Sequence, residues 1–147
     1  MANNYLQLST GIENITSEEK KWIDDNIEKF SQQDDDGYDY TTFQWEWEKN
    51  ATDCDGEKTV QDGSYLWIYG EEYAEVGNVA DFMQAFLKEN RPESSLYFSW
   101  AETCSKLRID NFHGGAYFIT AKEQKFVSSF AFISKELESS DRGWQTQ

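Results

Sequence analysis

Apolar and polar positions along this chain repeat with two periods. From Thr42 to Glu48, Phe43, Trp45 and Trp47 take one side and Gln44, Glu46 and Glu48 the other. That period of two marks a half-buried strand. Ser64 to Gly70 repeats it, with Tyr65, Trp67 and Tyr69 alternating against Leu66 and Ile68. Tyr5 to Leu8, then Leu96, Phe98 and Trp100, and finally Ala116 to Thr120 behind a turn at Gly114-Gly115 read as further strands.

Between them the period changes to that of a helix. Thr16 and Glu19 have the spacing of a capping box, and Trp22, Ile23, Ile27 and Phe30 follow on one face. Asp34-Asp35-Asp36-Gly37 is expected to end this helix in a polar turn. A second helix is expected from Asn78 as cap, through Val79, Phe82, Met83, Phe86 and Leu87, to Arg91-Pro92. Thr120 and Glu123 suggest another capping box, opening a helix whose face is Phe126, Val127, Phe130, Ile133 and Leu137. Asn50 to Gly63, rich in Asp, Gly and Thr, reads as a long loop, and residues 139–147 as a frayed polar tail.

The order β-α-β-β-α-β, then β and α, predicts a single α+β domain over residues 1–147. Its first six elements match the split βαβ, or ferredoxin-like, arrangement: an antiparallel sheet with helices on one face, here extended by a C-terminal strand and helix. Such a scaffold decides no function by itself.

Charge changes the picture more than composition does. Twenty-eight acids against 13 bases give 13 − 28 = −15, while a 16% aromatic content is that of a folded domain and not of an acidic tail. A chain this acidic repels phosphate backbones and anionic lipid, which argues against direct nucleic-acid or membrane binding and in favour of a basic partner surface. The N-terminus has no basic region ahead of an apolar run, so a cytoplasmic location with reduced Cys54 and Cys104 is expected.

The acids are also unevenly placed. Residues 34–75 hold 13 of them (Asp34, Asp35, Asp36, Asp39, Glu46, Glu48, Asp53, Asp55, Glu57, Asp62, Glu71, Glu72 and Glu75) against Lys49 and Lys58, a net of 2 − 13 = −11. Acids at alternate strand positions lie about 6.6 Å apart, of the order of successive phosphates on one strand. An ordered row of carboxylates can therefore stand in for a phosphate backbone. A surface serving only solubility is the competing account of the same charge.

Other chemistry is weakly supported. An EF-hand frame with Gly56 at its sixth position begins on Ala51, and one with Gly37 there begins on Gln32 and ends on Phe43, so both loops read as solvated turns. His113 is the only histidine, which excludes multi-histidine zinc sites. Oriented by Asp110 and paired with Cys104 as nucleophile, it could serve a small enzyme or ligand-binding domain. The common hydrolase, nucleotide-binding and metalloprotease signatures are absent from the sequence. No catalytic residue, cofactor or metal is assigned.

Residues 64–121 resemble a group of small uncharacterised bacterial and phage proteins. The resemblance rests on Leu66-Trp67-Ile68-Tyr69-Gly70-Glu71-Glu72, Gly77-Asn78, Phe86-Leu87 with Arg91-Pro92, Trp100-Ala101-Glu102-Thr103-Cys104-Ser105-Lys106 and Phe112-His113-Gly114-Gly115-Ala116-Tyr117-Phe118-Ile119-Thr120. Leu107 and His113 stand where the group is expected to have Pro and Gly. The resemblance implies a mobile-element origin and carries no activity. With the acidic stretch, it leads to an expected function: an inhibitor of the anti-CRISPR or anti-restriction type that blocks the basic nucleic-acid surface of a host nuclease or effector.

Overall fold

A computed structural model describes residues 4–48, 65–109 and 111–139. Its elements are β1 (Asn4–Ile12), α1 (Ser17–Asn26), α2 (Glu28–Ser31), β2 (Gln32–Asp35), β3 (Tyr38–Thr41), β4 (Gln44–Glu48), β5 (Tyr65–Gly70), α3 (Val76–Asn90), β6 (Ser95–Cys104), β7 (His113–Thr120), β8 (Gln124–Ser128) and α4 (Ser129–Ser139). Six strands form one sheet in the order β4-β5-β1-β6-β7-β8, and every neighbouring pair is antiparallel. The four strands β4-β5-β1-β6 reproduce the order of the split βαβ unit, with β1 and β5 central. Two strands, not one, extend it beyond β6.

The core lies between one sheet face and α1 to α3. Ile12, Leu66, Ile68 and Ile119 from the sheet meet Ile23, Ile27, Val79, Phe82, Met83, Phe86 and Leu87, all fully buried. Trp22 packs its indole against the rings of Phe82 and Phe86. Trp45 and Trp47 lie half-buried on the same side, as the strand alternation requires, and Trp47 Nε1 donates to Asp24. The opposite face carries no helix among the described residues.

The first capping box forms as expected: Glu19 N–H donates to Thr16 Oγ1, and Thr16 N–H to Glu19 Oε1. The helix it opens breaks at Ile27 into α1 and α2. The expected turn at Asp34–Gly37 is instead a whole hairpin, β2–β3. Asp36 and Gly37 both take positive φ, 52° and 78°, so the two-residue Asp-Gly turn matches the right-handed twist of its strands. Asn78 is not a cap. Helix α3 begins after Glu75, and the Asn78 amide donates to the Phe30 carbonyl, tying α3 to α2.

Two expectations near the C-terminus are also corrected. His113-Gly114-Gly115 is not a turn but the start of β7, paired with Glu102, Ala101 and Trp100. A Cβ on Gly115 would collide with the Val127 carbonyl and the Trp100 ring, so the glycine makes room for that ring. Thr120 and Glu123 close the β7–β8 hairpin, with Thr120 Oγ1 accepting from the N–H groups of Lys122 and Glu123. Phe126 and Val127 consequently belong to a strand, and α4 starts only at Ser129 and buries none of its residues. The expected loop 50–63, the strand start at Ser64 and residues 140–147 lie outside the described residues. No helix among the described residues is long and apolar enough to cross a membrane.

Candidate functional site

The helix-free face is built from small residues on β1 and β6 and aromatic ones on β5. Period two sends Gln7, Ser9 and Gly11 of β1 outward beside Tyr65, Trp67 and Tyr69 of β5. Gly11 has no side chain, and Tyr65 lies across the space that one would fill. Trp67 Nε1 donates to Ser9 Oγ at 2.9 Å, which fixes the plane of the indole. Tyr69 stacks on that indole, ring centroids 3.9 Å apart at 20°. Ser99 and Ala101 of β6, with Gln7 and Glu71, line a shallow, open depression of about 520 Å³ beside the stack.

Glu46 and Glu48 occupy the same face on the edge strand β4. Register places Glu48 opposite Tyr65 and Glu46 opposite Trp67. Two glutamates one strand repeat apart, about 6.6 Å along the backbone, therefore stand beside Tyr65 and Trp67, while the Trp67 and Tyr69 rings close to 3.9 Å. Burial, then the Glu46 charge and hydrogen bond, then the Glu71 charge push the Tyr69 phenol up from its ordinary pKa.

A second acidic group gathers at the end of the sheet. Asp34 and Asp39 face each other across the β2–β3 hairpin, with Asp35 opposite Tyr38. Like charges directly opposite in a ladder are destabilising, so the hairpin holds them together at a cost. Tyr73 donates to Glu75 at 2.7 Å; burial and this carboxylate push its pKa up to about 12. The Glu75 N–H donates to the Thr42 carbonyl at 2.7 Å, which places the end of the hairpin beside the β5–α3 connection, and burial, then the charges of Glu75 and Asp35, push the Tyr40 phenol up from its ordinary pKa. A cavity of about 270 Å³ lined by Thr41, Gln44, Glu71, Glu72 and Tyr73 lies between the two groups. Described residues 34–48 and 65–75 together hold nine carboxylates and no Lys or Arg. Asp53, Asp55, Glu57 and Asp62 fall outside the described residues.

No protein-family model matches this chain, and no curated protein or solved structure matches it.

The alternative constellation is only partly assembled. His113 pairs across the ladder with Glu102, and Cys104 lies two residues further along β6 on the same face. A cavity of about 340 Å³ takes in His113, Glu102, Tyr73 and Asn111, but Cys104, a buried free thiol, does not line it. Asp110 and Cys54 lie outside the described residues. Among the described residues no three His, Cys, Asp or Glu side chains converge as metal ligands do.

Alternation leaves open whether Tyr65, Trp67 and Tyr69 line the core or an interface. Both sides of that strand are apolar, so alternation alone does not say which faces solvent. The available signal was β1, where Ser9 and Gly11 stand beside them and leave room for large rings.

Proposed function

We propose that this chain is an acidic binding protein and not an enzyme, of a kind carried by phages or mobile elements. It occupies the basic nucleic-acid channel of a host defence nuclease or effector by imitating a nucleic-acid strand. The observation that carries the reading is the β4–β5 register. Glu48 and Glu46 stand opposite Tyr65 and Trp67, and Trp67 stacks on Tyr69 at 3.9 Å. Glutamates on positions one strand repeat apart, a near-phosphate spacing of about 6.6 Å, border a stacked ring pair much as phosphates border stacked bases. Lys and Arg of a channel would meet the carboxylates, while the rings supply the desolvated anchor that concentrates binding energy. The opposed Asp34 and Asp39 also favour this reading over a solubility surface, which gains nothing from paired like charges.

Competition tests it. Restriction and CRISPR effector nucleases are loaded with fluorescent DNA or guide RNA, and release is followed by anisotropy as the chain is added. Displacement is expected to weaken with salt, and to fall at least about tenfold, the equivalent of about 1.4 kcal/mol, in Glu46→Gln/Glu48→Gln and in Trp67→Ala. No displacement from any effector tested, or Gln variants as potent as the parent, overturns it. A second reading, a small-ligand domain, has the His113–Glu102 cavity in its favour. A ligand whose binding is lost in His113→Ala and kept in Glu46→Gln/Glu48→Gln would select it.

A further inference from the structure

We infer that β8 and α4 form a self-complementary surface on which a second copy of this chain docks. The inference is independent of the proposed function, because it concerns the other end of the sheet. The two sheet edges are unlike. β4 presents Glu46 and Glu48, the charged kind of edge that discourages strand addition, whereas β8 carries one charged residue, Lys125.

Apolar surface is concentrated beside β8. Phe98, Tyr117 and Phe126 stack in succession across β6, β7 and β8, with centroids 5.3 Å apart at each step. The last ring, Phe126, is 58% exposed, so the stack ends on an open face. Helix α4 follows without a connecting loop and leans Phe130 edge-on against His113. Phe130, Ile133 and Leu137 form a stripe at i, i+3 and i+7, exposed by 65%, 52% and 50%.

Charge and area select the occupant. Gln124 to Ser139 carries Lys125 and Lys135 against Glu136 and Glu138, a neutral patch on a chain of net −15. Five strand spacings of roughly 4.8 Å put the acidic β4 edge about 24 Å from β8, some three Debye lengths at physiological salt. Two copies can therefore meet at β8 and α4 with their acidic edges pointing apart. The four side chains leave about 350–450 Å² of apolar surface per chain at roughly 150–200 Å² for a fully exposed one. A symmetric pair covers about 700–900 Å². At the roughly 65% apolar share of homodimer interfaces, that corresponds to a total of about 1,100–1,400 Å², at the lower end of stable interfaces.

Sedimentation equilibrium of the full chain over roughly 1–200 µM, a range that spans a weak dimer constant, is the test. A monomer–dimer equilibrium is expected, and it should tighten as salt rises because screening relieves the repulsion between two acidic chains. Phe130→Ser/Ile133→Ser should be monomeric throughout with unchanged circular dichroism, and Ile133→Thr alone should weaken the dimer. Asp34→Asn/Asp39→Asn should dimerise at least as well as the parent. A parent chain that stays monomeric, whether because residues 140–147 cover the stripe or because nothing does, overturns the inference. So does a dimer that Ile133→Thr leaves unchanged.

Discussion

Replacing Arg91 with Met removes a side chain that ties the end of α3 to the start of α1. Its Nε donates to Glu19 Oε2 at 2.8 Å and its Nη2 to Oε1 at 2.9 Å, a fork-to-fork pair. The same Nη2 reaches the carbonyls of Glu13 and Asn14, and the guanidinium lies 5.2 Å from the Phe86 ring centroid. Glu19 is 10% exposed and Arg91 24%. Breaking a fully buried pair by removing one partner costs about 3–5 kcal/mol, and the partial exposure of Arg91 brings the expectation to about 3 kcal/mol. For a chain of this length that is a fall in Tm of about 6–12 °C. Urea unfolding followed by tryptophan fluorescence measures it. The double variant with Glu19→Gln should recover about 1–2 kcal/mol of coupling, since the Gln amide oxygen can still accept from Thr16 N–H.

The pH dependence is a second reading of the same pair. The Arg91 hydrogen bonds, chiefly, hold the Glu19 carboxyl below its ordinary 4.5 against the opposing effect of burial. A lowered folded pKa stabilises the chain above the unfolded pKa, and that stability is lost as pH falls through the folded one. The Arg91→Met penalty should therefore be full at pH 7 and shrink below about pH 4.5. A penalty under about 0.5 kcal/mol at pH 7, the size of an ordinary surface change, refutes the reasoning. A penalty that stays constant down to pH 3 also refutes it.

Gly115→Ala pushes a methyl into the Trp100 ring and the Val127 carbonyl; we expect a loss of about 2–3 kcal/mol, read by thermal unfolding, and a loss below 1 kcal/mol would show that the strands shift freely. Gly37→Ala, at φ 78°, should cost about 1–2 kcal/mol by the left-handed penalty, less if the hairpin unfolds separately from the sheet, which hydrogen exchange of β2 and β3 would reveal. Glu75→Gln removes the charge facing Tyr73, so the phenol that titrates at about 12 should titrate lower in a spectrophotometric titration; an unchanged curve would assign the shift to burial alone.

The legible parts of the fold were those where one physical signal dominated. The α3 stripe Val79, Phe82, Met83, Phe86 and Leu87 was readable because every member is fully buried. The Thr16–Glu19 box was readable because its signature is local. The Thr120–Glu123 pair has the same signature, yet the hydroxyl closes a hairpin instead; the side-chain bond alone does not decide what the next residues do. Phe126 and Val127 fit a helical stripe only because their neighbours at 130, 133 and 137 do. The Asp36-Gly37 turn is legible as a turn, but the hairpin around it is not, because its flanking strands are polar and exposed, without the alternation that usually announces a hairpin. At the candidate site the acids were visible from charge counting. Their alignment with Tyr65 and Trp67 was not, since cross-strand register is set by pairing between distant segments.

The position of β1 has a consequence for how the chain reaches its native state. The first strand is a central one: Leu8 to Ile12 pair with residues 66–70, and Asn4 to Leu8 with residues 100–104. Its partners are about sixty to a hundred residues away in sequence, so loop-closure entropy opposes the sheet before most of its ladder forms. During synthesis β1 leaves the ribosome before both of its partner strands, so the edge that β6 covers stays unpaired until Cys104 has emerged. A chain truncated before β6 therefore exposes a strand edge and is prone to aggregate, while a chain that includes β6 is expected to fold in the slow, millisecond-to-second range of non-local topologies.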